Sequence, residues 1–356
     1  MPSFYPLVVE KIRSLTPNSV AVTFAVPKEL LETFEFIPGQ YITIKKEIGG
    51  QELRRAYSIS SVPKTNTFTI GIKKVKDGRF SSYANDQLAE GDILEIMPPE
   101  GRFTYTPAEN PVNMAAFAAG SGITPIMSII QAVLEGHPKS SFVLVYGNQS
   151  QEETMFYGEL VRLQEDNTDR FFIHFVNSRA RGTDTIFGRI ERSTVNFVLK
   201  NKHKDTAFDA YYLCGPEAMI HTIGDTLKDN GVAPDDIHFE LFSTPKTKEE
   251  DDLSKESTST VGDGKTQLSV ILDDEEFTFG MDRETLILDA VLNENIDAPY
   301  SCQGGVCSSC IARVTEGKAK MVKNQILTDG EVEEGFILTC QAYPLTPTLK
   351  VDFDDV

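Results

Sequence analysis

Ser301-Cys302-Gln303-Gly304-Gly305-Val306-Cys307-Ser308-Ser309-Cys310 is answered downstream by Cys340, in Leu338-Thr339-Cys340-Gln341. The spacing is Cys-x4-Cys-x2-Cys followed by one distant Cys, the plant-type pattern for four thiolates on a [2Fe–2S] cluster. A loop wrapped round such a cluster brings backbone N–H groups close to sulfur. Gly304 and Gly305 leave that approach open, and hydrogen bonds to sulfur tune the reduction potential. The competing reading is a structural zinc site, which pairs two short Cys or Cys/His hooks. The chain has one such hook and no second. Cys302, Cys307, Cys310 and Cys340 are therefore the expected metal ligands.

At 356 residues the chain is too long for one ordinary core. Its composition, 40% hydrophobic and 24% charged, is that of a globular protein. Met1-Pro2-Ser3-Phe4-Tyr5 carries no basic run followed by an apolar core, so no signal peptide is expected. No apolar run reaches transmembrane length, and membrane insertion is not expected. Four of the five cysteines are claimed by the cluster, leaving Cys214, which is no disulfide framework. A reducing, cytoplasmic compartment fits that usage. The net charge of −19 is uneven: residues 246–356 hold 10 Lys and Arg against 23 Asp and Glu. Such a face is either a solvated surface or a field that steers toward a basic partner. Its sign disfavours nucleic acid.

Working back from the cysteines, residues 4–105 read as short strands separated by turns such as Pro38-Gly39 and Asp77-Gly78. The strands are Phe4–Lys11, Val20–Val26, Gln40–Lys45, Tyr57–Ser60, Phe68–Lys74 and Ile93–Met97. Six at this spacing predict a small antiparallel barrel or sandwich. In Arg54-Arg55-Ala56-Tyr57-Ser58, side-chain alternation puts Arg55 and Tyr57 on one face, one suited to a phosphate and the other to a ring. Gly78-Arg79-Phe80-Ser81-Ser82 opens a helix predicted through Leu88, where hydroxyls and free N–H groups suit a diphosphate. A serine pair before a helix is, taken alone, an ordinary cap.

From residue 112 the period changes. Val112–Ala119 reads as a buried parallel strand. Gly120-Ser121-Gly122-Ile123-Thr124-Pro125 follows, then a helix over Ile126–Leu134 with Pro125 in its first turn. Further strands are expected at Phe142–Tyr146, Phe171–Val176 and Ala210–Leu213, with helices near Glu152–Gln164, Glu191–Lys200 and Glu217–Asn230. This alternation predicts an open parallel sheet of nucleotide-binding type, with its site at the strand C-termini. The loops there hold Tyr146-Gly147-Asn148, Ser178-Arg179 and Cys214-Gly215-Pro216. Ser178 and Arg179 could grip a 2′-phosphate and so select NADPH. For Cys214 the plain alternative is a small buried hydrophobe.

Residues 243–265 hold one leucine and one valine and read as a linker. Fully flexible, it would span about 25 Å. Residues 266–356 predict a compact α+β module: strands Gln267–Leu272 and Glu276–Phe279, a helix near Glu284–Asn293 capped by Asp282, then the cluster loop. Strands Ile311–Val314 and Thr348–Phe353 complete it.

Together these residues resemble the ferredoxin–NADP reductase superfamily with a C-terminal plant-type ferredoxin fused on. The resemblance covers essentially the whole chain and implies an FAD-binding barrel over 1–106, a NAD(P)-binding α/β domain over 107–242 and a [2Fe–2S] domain over 266–356. It assigns Arg55 to the FAD pyrophosphate, Tyr57 to the isoalloxazine face and Ser58 to its rim. Gly71, Lys73 and Val75 match the second flavin contact, and Gly78, Ser81 and Ser82 the third. Gly120, Gly122, Thr124 and Pro125 match the nicotinamide-nucleotide loop, with Ser178 and Arg179 choosing NADPH over NADH. Gly215 and Pro216 belong to the nicotinamide pocket, Phe242 ends the reductase module beside the flavin, and Cys214 and Glu240 take the catalytic positions.

Within the superfamily this module order is similar to that of reductase subunits of multicomponent oxygenases. A nicotinamide gives two electrons at once and a [2Fe–2S] centre takes one, and a flavin can deal with both. The expected function is therefore an NAD(P)H-dependent reductase passing electrons through FAD and the cluster to an oxygenase partner. The alternatives are a different hydroxylase or desaturase as acceptor, or a redox sensor built on the same cofactors.

Overall fold

In the computed structural model, residues 3–63, 66–107, 109–180, 182, 185–242 and 264–356 are described. Six antiparallel strands and one helix form the first layer. They are β1 (Tyr5–Thr16), β2 (Ser19–Ala25), β3 (Tyr41–Ile48), β4 (Gln51–Ser58), β5 (Thr67–Lys73), α1 (Arg79–Asp86) and β6 (Ile93–Ile96). Their order is β4-β3-β6-β1-β2-β5, and a bridge from Ile59 to Ile70 joins the two edges into a barrel. Alternate residues fill it: Leu7 and Val9, Val22 and Phe24, Ile42 and Ile44, Phe68, Ile70 and Ile72 share one core. The strand carrying Tyr57 runs from Gln51, not from Tyr57. Gly49 and Gly50 (φ +61° and +73°) make the two-residue turn that lets β3 and β4 pair from Ile48 and Gln51 to Tyr41 and Ser58.

The second layer alternates strand and helix: β7 (Asn113–Ala119), α2 (Ile123–Gly136), β8 (Ser141–Asn148), α3 (Tyr157–Asp166), β9 (Phe171–Asn177), β10 (Ile186–Phe187), α4 (Arg192–Asn196), β11 (Ala210–Gly215), α5 (Glu217–Asp229) and β12 (Ile237–Leu241). The sheet is parallel throughout, in the order β10-β9-β8-β7-β11-β12. Besides the early start of α2, two helices depart from expectation. α3 starts at Tyr157 because Phe156, at φ +59°, breaks the helical path. α4 is short and runs into a π-helical stretch, Phe197–Lys202.

Barrel and sheet belong to one unit, Phe4–Phe242. On α2, Ser128 Oγ donates to the Ser61 carbonyl at 2.6 Å and Gln131 Nε2 to the Ser60 carbonyl at 3.1 Å. Tyr212 on β11 donates its hydroxyl to the Thr104 carbonyl at 3.1 Å, its ring edge-on to Phe103 at 5.4 Å.

The C-terminal unit has its own core. It contains β13 (Lys265–Leu272), β14 (Glu275–Asp282), α6 (Ile287–Asn293), β15 (Ile311–Glu316), β16 (Ala319–Met321), α7 (Asp329–Glu333), β17 (Phe336–Leu338), β18 (Ala342–Pro344) and β19 (Thr348–Asp352). The main sheet runs β14-β13-β19-β15-β17, and β16 pairs with β18. Asp282 does not cap α6. It ends β14, its carbonyl closes a turn with the Thr285 N–H at 3.0 Å, and Leu286 stands at the cap. Of the expected linker 243–265, all but Gly264 and Lys265 lie outside the described residues, and Lys265 already pairs with Asp282 in β13 and β14.

Replacing Ser128 by Ala removes a hydroxyl bond that joins α2 to the barrel. The expected loss is about 1 kcal/mol in urea unfolding of the chain, with the transition's slope unchanged.

Candidate cofactor sites

The barrel end of the first site is set by β4. Arg55 is half-buried and donates to the Arg54 carbonyl at 2.7 Å. Burial pushes the Tyr57 hydroxyl well above its ordinary range, the Arg55 charge partly offsetting this. The Tyr57 ring packs 5.6 Å from that of Phe80 on α1. Gly78 precedes α1 without a side-chain cap, so the first-turn N–H groups have no side-chain acceptor. A Cβ on Gly78 would fall 2.3 Å from Val75 Cγ2 and 2.4 Å from Ser81 Oγ, so the turn requires glycine. Ser81 is committed within that turn: its hydroxyl receives the Val75 N–H at 3.2 Å and donates to the Gly78 carbonyl at 3.2 Å. Ser82 stays half-buried at the helix start. Arg79, which the sequence reading passed over, holds the β3–β4 hairpin through the Ile48 carbonyl and Gln51 Oε1.

Three predicted residues meet where barrel and sheet join. Ser58 Oγ donates to Glu240 Oε2 at 3.3 Å, and Cys214 is the register partner of Glu240 on neighbouring strands. Glu240 is 8% exposed, and burial pushes its carboxyl up to about 8, with the Ser58 bond pulling the other way. It is therefore mostly protonated at neutral pH. Burial first and Glu240 second hold the Cys214 thiol well above its usual range, so it stays neutral. Phe242 is 39% exposed and closes the described part of this unit.

The nucleotide loop is placed by close approach. A Cβ on Gly122 would stand 2.2 Å from the Cys214 carbonyl oxygen, so the loop before α2 packs directly on the end of β11. Tyr146 donates its hydroxyl to the Gly120 carbonyl at 2.8 Å and Thr124 its own to the Ser121 carbonyl at 2.9 Å. Thr124 and Pro125 lie in the first turn of α2, which begins at Ile123, three residues before the expected start. Gly215 packs on Ala119, and Pro216 stands at the cap of α5. At the end of β9, Ser178 donates its N–H to the Asn148 carbonyl at 2.9 Å and Arg179 its N–H to that of Gln149 at 2.9 Å, leaving the Arg179 side chain exposed. Beside them β10 pairs with Val176 and Asn177, and a pocket opens that is lined by Phe187, Arg189, Ser193 and Phe197. Sequence reading missed this pocket, because a two-residue strand leaves no periodic signal.

The antiparallel bridge from Ile59 to Ile70 sets Gly71 beside the end of β4 that carries Ser58. Gly71 faces Thr124, Met155 and Phe156 of the sheet layer, and Lys73 lies 3.8 Å from Glu153. Val75 is 39% exposed.

In the C-terminal unit the four thiols converge. Cys302 lies within hydrogen-bonding reach of Cys307 and Cys340, and Cys340 of Cys310. Bonds from Cys307 and Cys340, joined by the Gly304 and Val306 N–H groups, draw Cys302 well below the usual thiol range, while Cys307 and Cys340 move up. The Gly304 N–H points at Cys302 Sγ, 3.3 Å away. Gly305 takes φ +71°, and a Cβ there would press within 3.1 Å of the Lys323 carbonyl. Ser301 Oγ is buried without a partner among the described residues. Convergent thiols, an N–H aimed at sulfur and a spare buried hydroxyl fit an iron–sulfur cluster. No three His, Cys, Asp or Glu of the described residues form a single-ion site. A two-iron cluster needs none, since each iron takes two of four thiolates.

Residues 6–105 match the oxidoreductase FAD-binding domain, 117–225 the oxidoreductase NAD-binding domain and 270–345 the 2Fe-2S iron-sulfur cluster binding domain. The chain belongs to the ferredoxin–NADP reductase superfamily, in the form with a C-terminal plant-type [2Fe–2S] domain. It is an oxidoreductase with FAD, a nicotinamide nucleotide and a [2Fe–2S] cluster as cofactors, of the kind that delivers electrons to an oxygenase component. One of the subunits of the 1,2-phenylacetyl-CoA epoxidase of Escherichia coli (strain K12) is 38% identical over 358 residues, 99% of each chain. The ferredoxin reductase component of the Rhodococcus rhodochrous 3-ketosteroid-9-alpha-monooxygenase is 32% identical over 98% of this chain and 96% of its own. Phthalate dioxygenase reductase shares the fold, with a TM-score of 0.61, 22% identity and 98% of each chain covered. Among the described residues no helix is long and apolar enough to cross a membrane.

Glu240 gives a pH signature. Its folded value of about 8 lies above the ordinary 4.5, so the folded chain keeps a proton that the unfolded chain releases. The contribution is complete below pH 4.5 and is lost as pH rises through about 8. Glu240→Gln should flatten that fall. Its advantage over the wild type in urea unfolding should be absent near pH 4.5 and reach a few kcal/mol above about pH 8.

Proposed function

We propose that the chain takes hydride from NADPH at the seam between barrel and sheet and passes single electrons through the C-terminal cluster to the oxygenase component of a phenylacetyl-CoA epoxidase. The observation that carries this reading is the buried Ser58–Glu240 hydrogen bond with Cys214 as the register partner of Glu240, in the same chain as the four converging thiols. The working modules are 1–106 for FAD, 107–242 for the nucleotide, 243–265 as linker and 266–356 for the cluster. The three family matches fall within the three cofactor modules.

FAD would be held by Arg55, Tyr57, Ser58 and Ser82 and the uncapped first turn of α1, whose donors suit a pyrophosphate. NADPH would lie along the C-terminal ends of the parallel strands. The loop Gly120–Gly122 and Thr124 would hold its diphosphate, Ser178 and Arg179 its 2′-phosphate, and the pocket of Phe187 and Phe197 its adenine. When bound, the flavin supplies the exchange between a two-electron donor and a one-electron acceptor. The chain supplies the rest. Glu240 holds a proton against Ser58 without placing a charge in the seam, and Cys214 gives a neutral, polarizable side chain beside it. Cys302, Cys307, Cys310 and Cys340 would hold the cluster.

The acceptor is assigned from the 38% identity over the full length with the epoxidase protein of Escherichia coli. A second reading, another oxygenase as acceptor, draws on the 32% identical ketosteroid monooxygenase reductase. Ligand thiols that must remain reduced support a cytoplasmic location.

Anaerobic mixing with NADPH should bleach the flavin and then produce the paramagnetic signal of a one-electron-reduced cluster. A bleached flavin beside an unchanged cluster sinks the relay. Cys310→Ser should lose iron and acid-labile sulfide yet bleach its flavin normally. Arg179→Gln should raise the KM for NADPH by about tenfold, a loss of one charge-assisted contact, and leave that for NADH unchanged.

A further inference from the structure

The second flavin-contact stretch, Gly71–Val75, has work in this fold that its sequence does not announce. β5 carries glycine where an apolar strand residue would ordinarily add packing. The Cβ that residue 71 lacks would stand 2.7 Å from Thr124 Cγ2, 2.9 Å from Met155 Cε and 3.2 Å from Phe156 Cε2. All three neighbours come from the sheet layer, and they fill the space a side chain would take. Thr124 is the second residue of α2, and the loop before it is wedged from the other side by Gly122 on the Cys214 carbonyl. The start of α2 is thus pinned between two close backbone approaches, one to β11 and one to the barrel strand β5.

The segment that backs Thr124 is itself constrained. Phe156 has φ +59°, a conformation a bulky side chain rarely adopts, and its ring is 4% exposed. Met155 beside it is fully buried. Such an outlier persists where the surroundings over-determine it, and such places cluster at functional sites. Just before it, Glu153 Oε1 receives a bond from Asn18 Nδ2 at 3.2 Å, and its Oε2 lies 3.8 Å from Lys73 Nζ. Both ends of the Lys73 pair are about a quarter exposed, so screening leaves it a minor contributor. The steric contact decides the spacing.

We propose that Gly71 and Phe156 are positioning residues for hydride transfer: the Phe156 ring and Thr124 seat against the bare backbone of Gly71 and set the distance between nucleotide loop and flavin-bearing barrel. Gly71 then acts on the nicotinamide loop, and its lack of a side chain serves this seam rather than the flavin. The inference rests on the NADPH-to-flavin reading above. The geometry makes the effect steep, because sub-ångström displacement of a donor from its acceptor costs rate far more than affinity.

The test uses the FAD- and cluster-loaded protein with Gly71→Ala, Gly71→Ala/Thr124→Ser and Phe156→Leu. Gly71→Ala should keep its full complement of FAD per chain, lose the long-wavelength absorbance of the nicotinamide–flavin complex, and bleach at saturating NADPH about tenfold more slowly. The serine retains the Thr124 hydroxyl and removes the methyl at 2.7 Å, the nearest of the three contacts, so the double variant should recover part of both the absorbance and the rate. Phe156→Leu, which keeps an apolar side chain but withdraws the ring, should retain FAD and slow bleaching in the same sense. It is the measure to use if the alanine variant folds poorly. Loss of FAD from Gly71→Ala, with its loaded fraction bleaching at the wild-type rate, overturns the proposal and returns Gly71 to the flavin. So does a double variant as slow as the single. Absence of bleaching in the wild type instead sinks the NADPH reading itself.

Discussion

The reductase unit depends on one constraint: two backbones that must come within van der Waals contact at the end of β11. The nucleotide loop can reach the Cys214 carbonyl only because residue 122 is glycine. From that contact follow the start of α2 at Ile123, the Thr124 hydroxyl on the Ser121 carbonyl, and the Tyr146 hydroxyl on that of Gly120. Once α2 is anchored, its Ser128 and Gln131 reach the barrel carbonyls of Ser61 and Ser60. The barrel in turn presents Ser58 to Glu240 one strand away from Cys214. The chemistry is thus located by packing, and the polar contacts are what the packing brings into range.

Burying a carboxyl at that seam is costly unless it stays neutral. Glu240 meets the condition by holding its proton, and Cys214 beside it does the same with its thiol. Two acidic groups in one dry place therefore introduce no charge near neutrality. The cluster loop works the other way. There the fold gathers sulfurs and aims N–H groups at Cys302, favouring the thiolate a metal ligand must be. The seam thus suppresses ionisation throughout, whereas in the cluster loop bonds from neighbouring thiols and N–H groups favour the thiolate at Cys302, and the bonds to Cys302 together with burial oppose it at Cys307 and Cys340.

Much of this was legible beforehand, for identifiable reasons. The cysteine spacing named the cluster loop, since ligand geometry restricts sequence directly. Six short strands separated by turns and the apolar run to Ala119 gave barrel and parallel sheet, because strands of a small barrel must turn often and a strand buried on both faces is apolar throughout. What escaped was set by tertiary contact. That side chains of Thr124, Met155 and Phe156 seat against Gly71 left no mark in the sequence, because close approach of a side chain and close approach of a ligand both call for glycine. The start of α3 was misplaced because nothing in Glu152–Phe156 announces a left-handed phenylalanine held there by its buried ring. Asp282 looked like a cap, but a three-residue turn intervenes before α6. The helix α7 is too short for periodicity. Its capping box, Thr328 and Glu331 exchanging side-chain and backbone bonds at 3.3 Å and 2.8 Å, was readable as Thr-x-x-Glu and was passed over.

The acidity of the C-terminal third can also be resolved in part. Asp273 and Asp274 form the β13–β14 turn at φ +54° and +61°, which costs a non-glycine residue about 1 kcal/mol or more apiece. The Asp354 carboxylate offsets this by accepting both of their N–H groups, at 3.0 Å and 2.8 Å. Glu276 pairs with Lys350, and Asp355 with Arg313. These carboxylates hold the turn and the last strand in place, so that part of the charge has a local structural cause. A field that steers a partner would have to come from the acids left over, such as Asp329 and Glu333 on the exposed face of α7, and would weaken with salt over a Debye length of about 10 Å at 0.1 M. Net charge alone therefore overstates the surface available for docking.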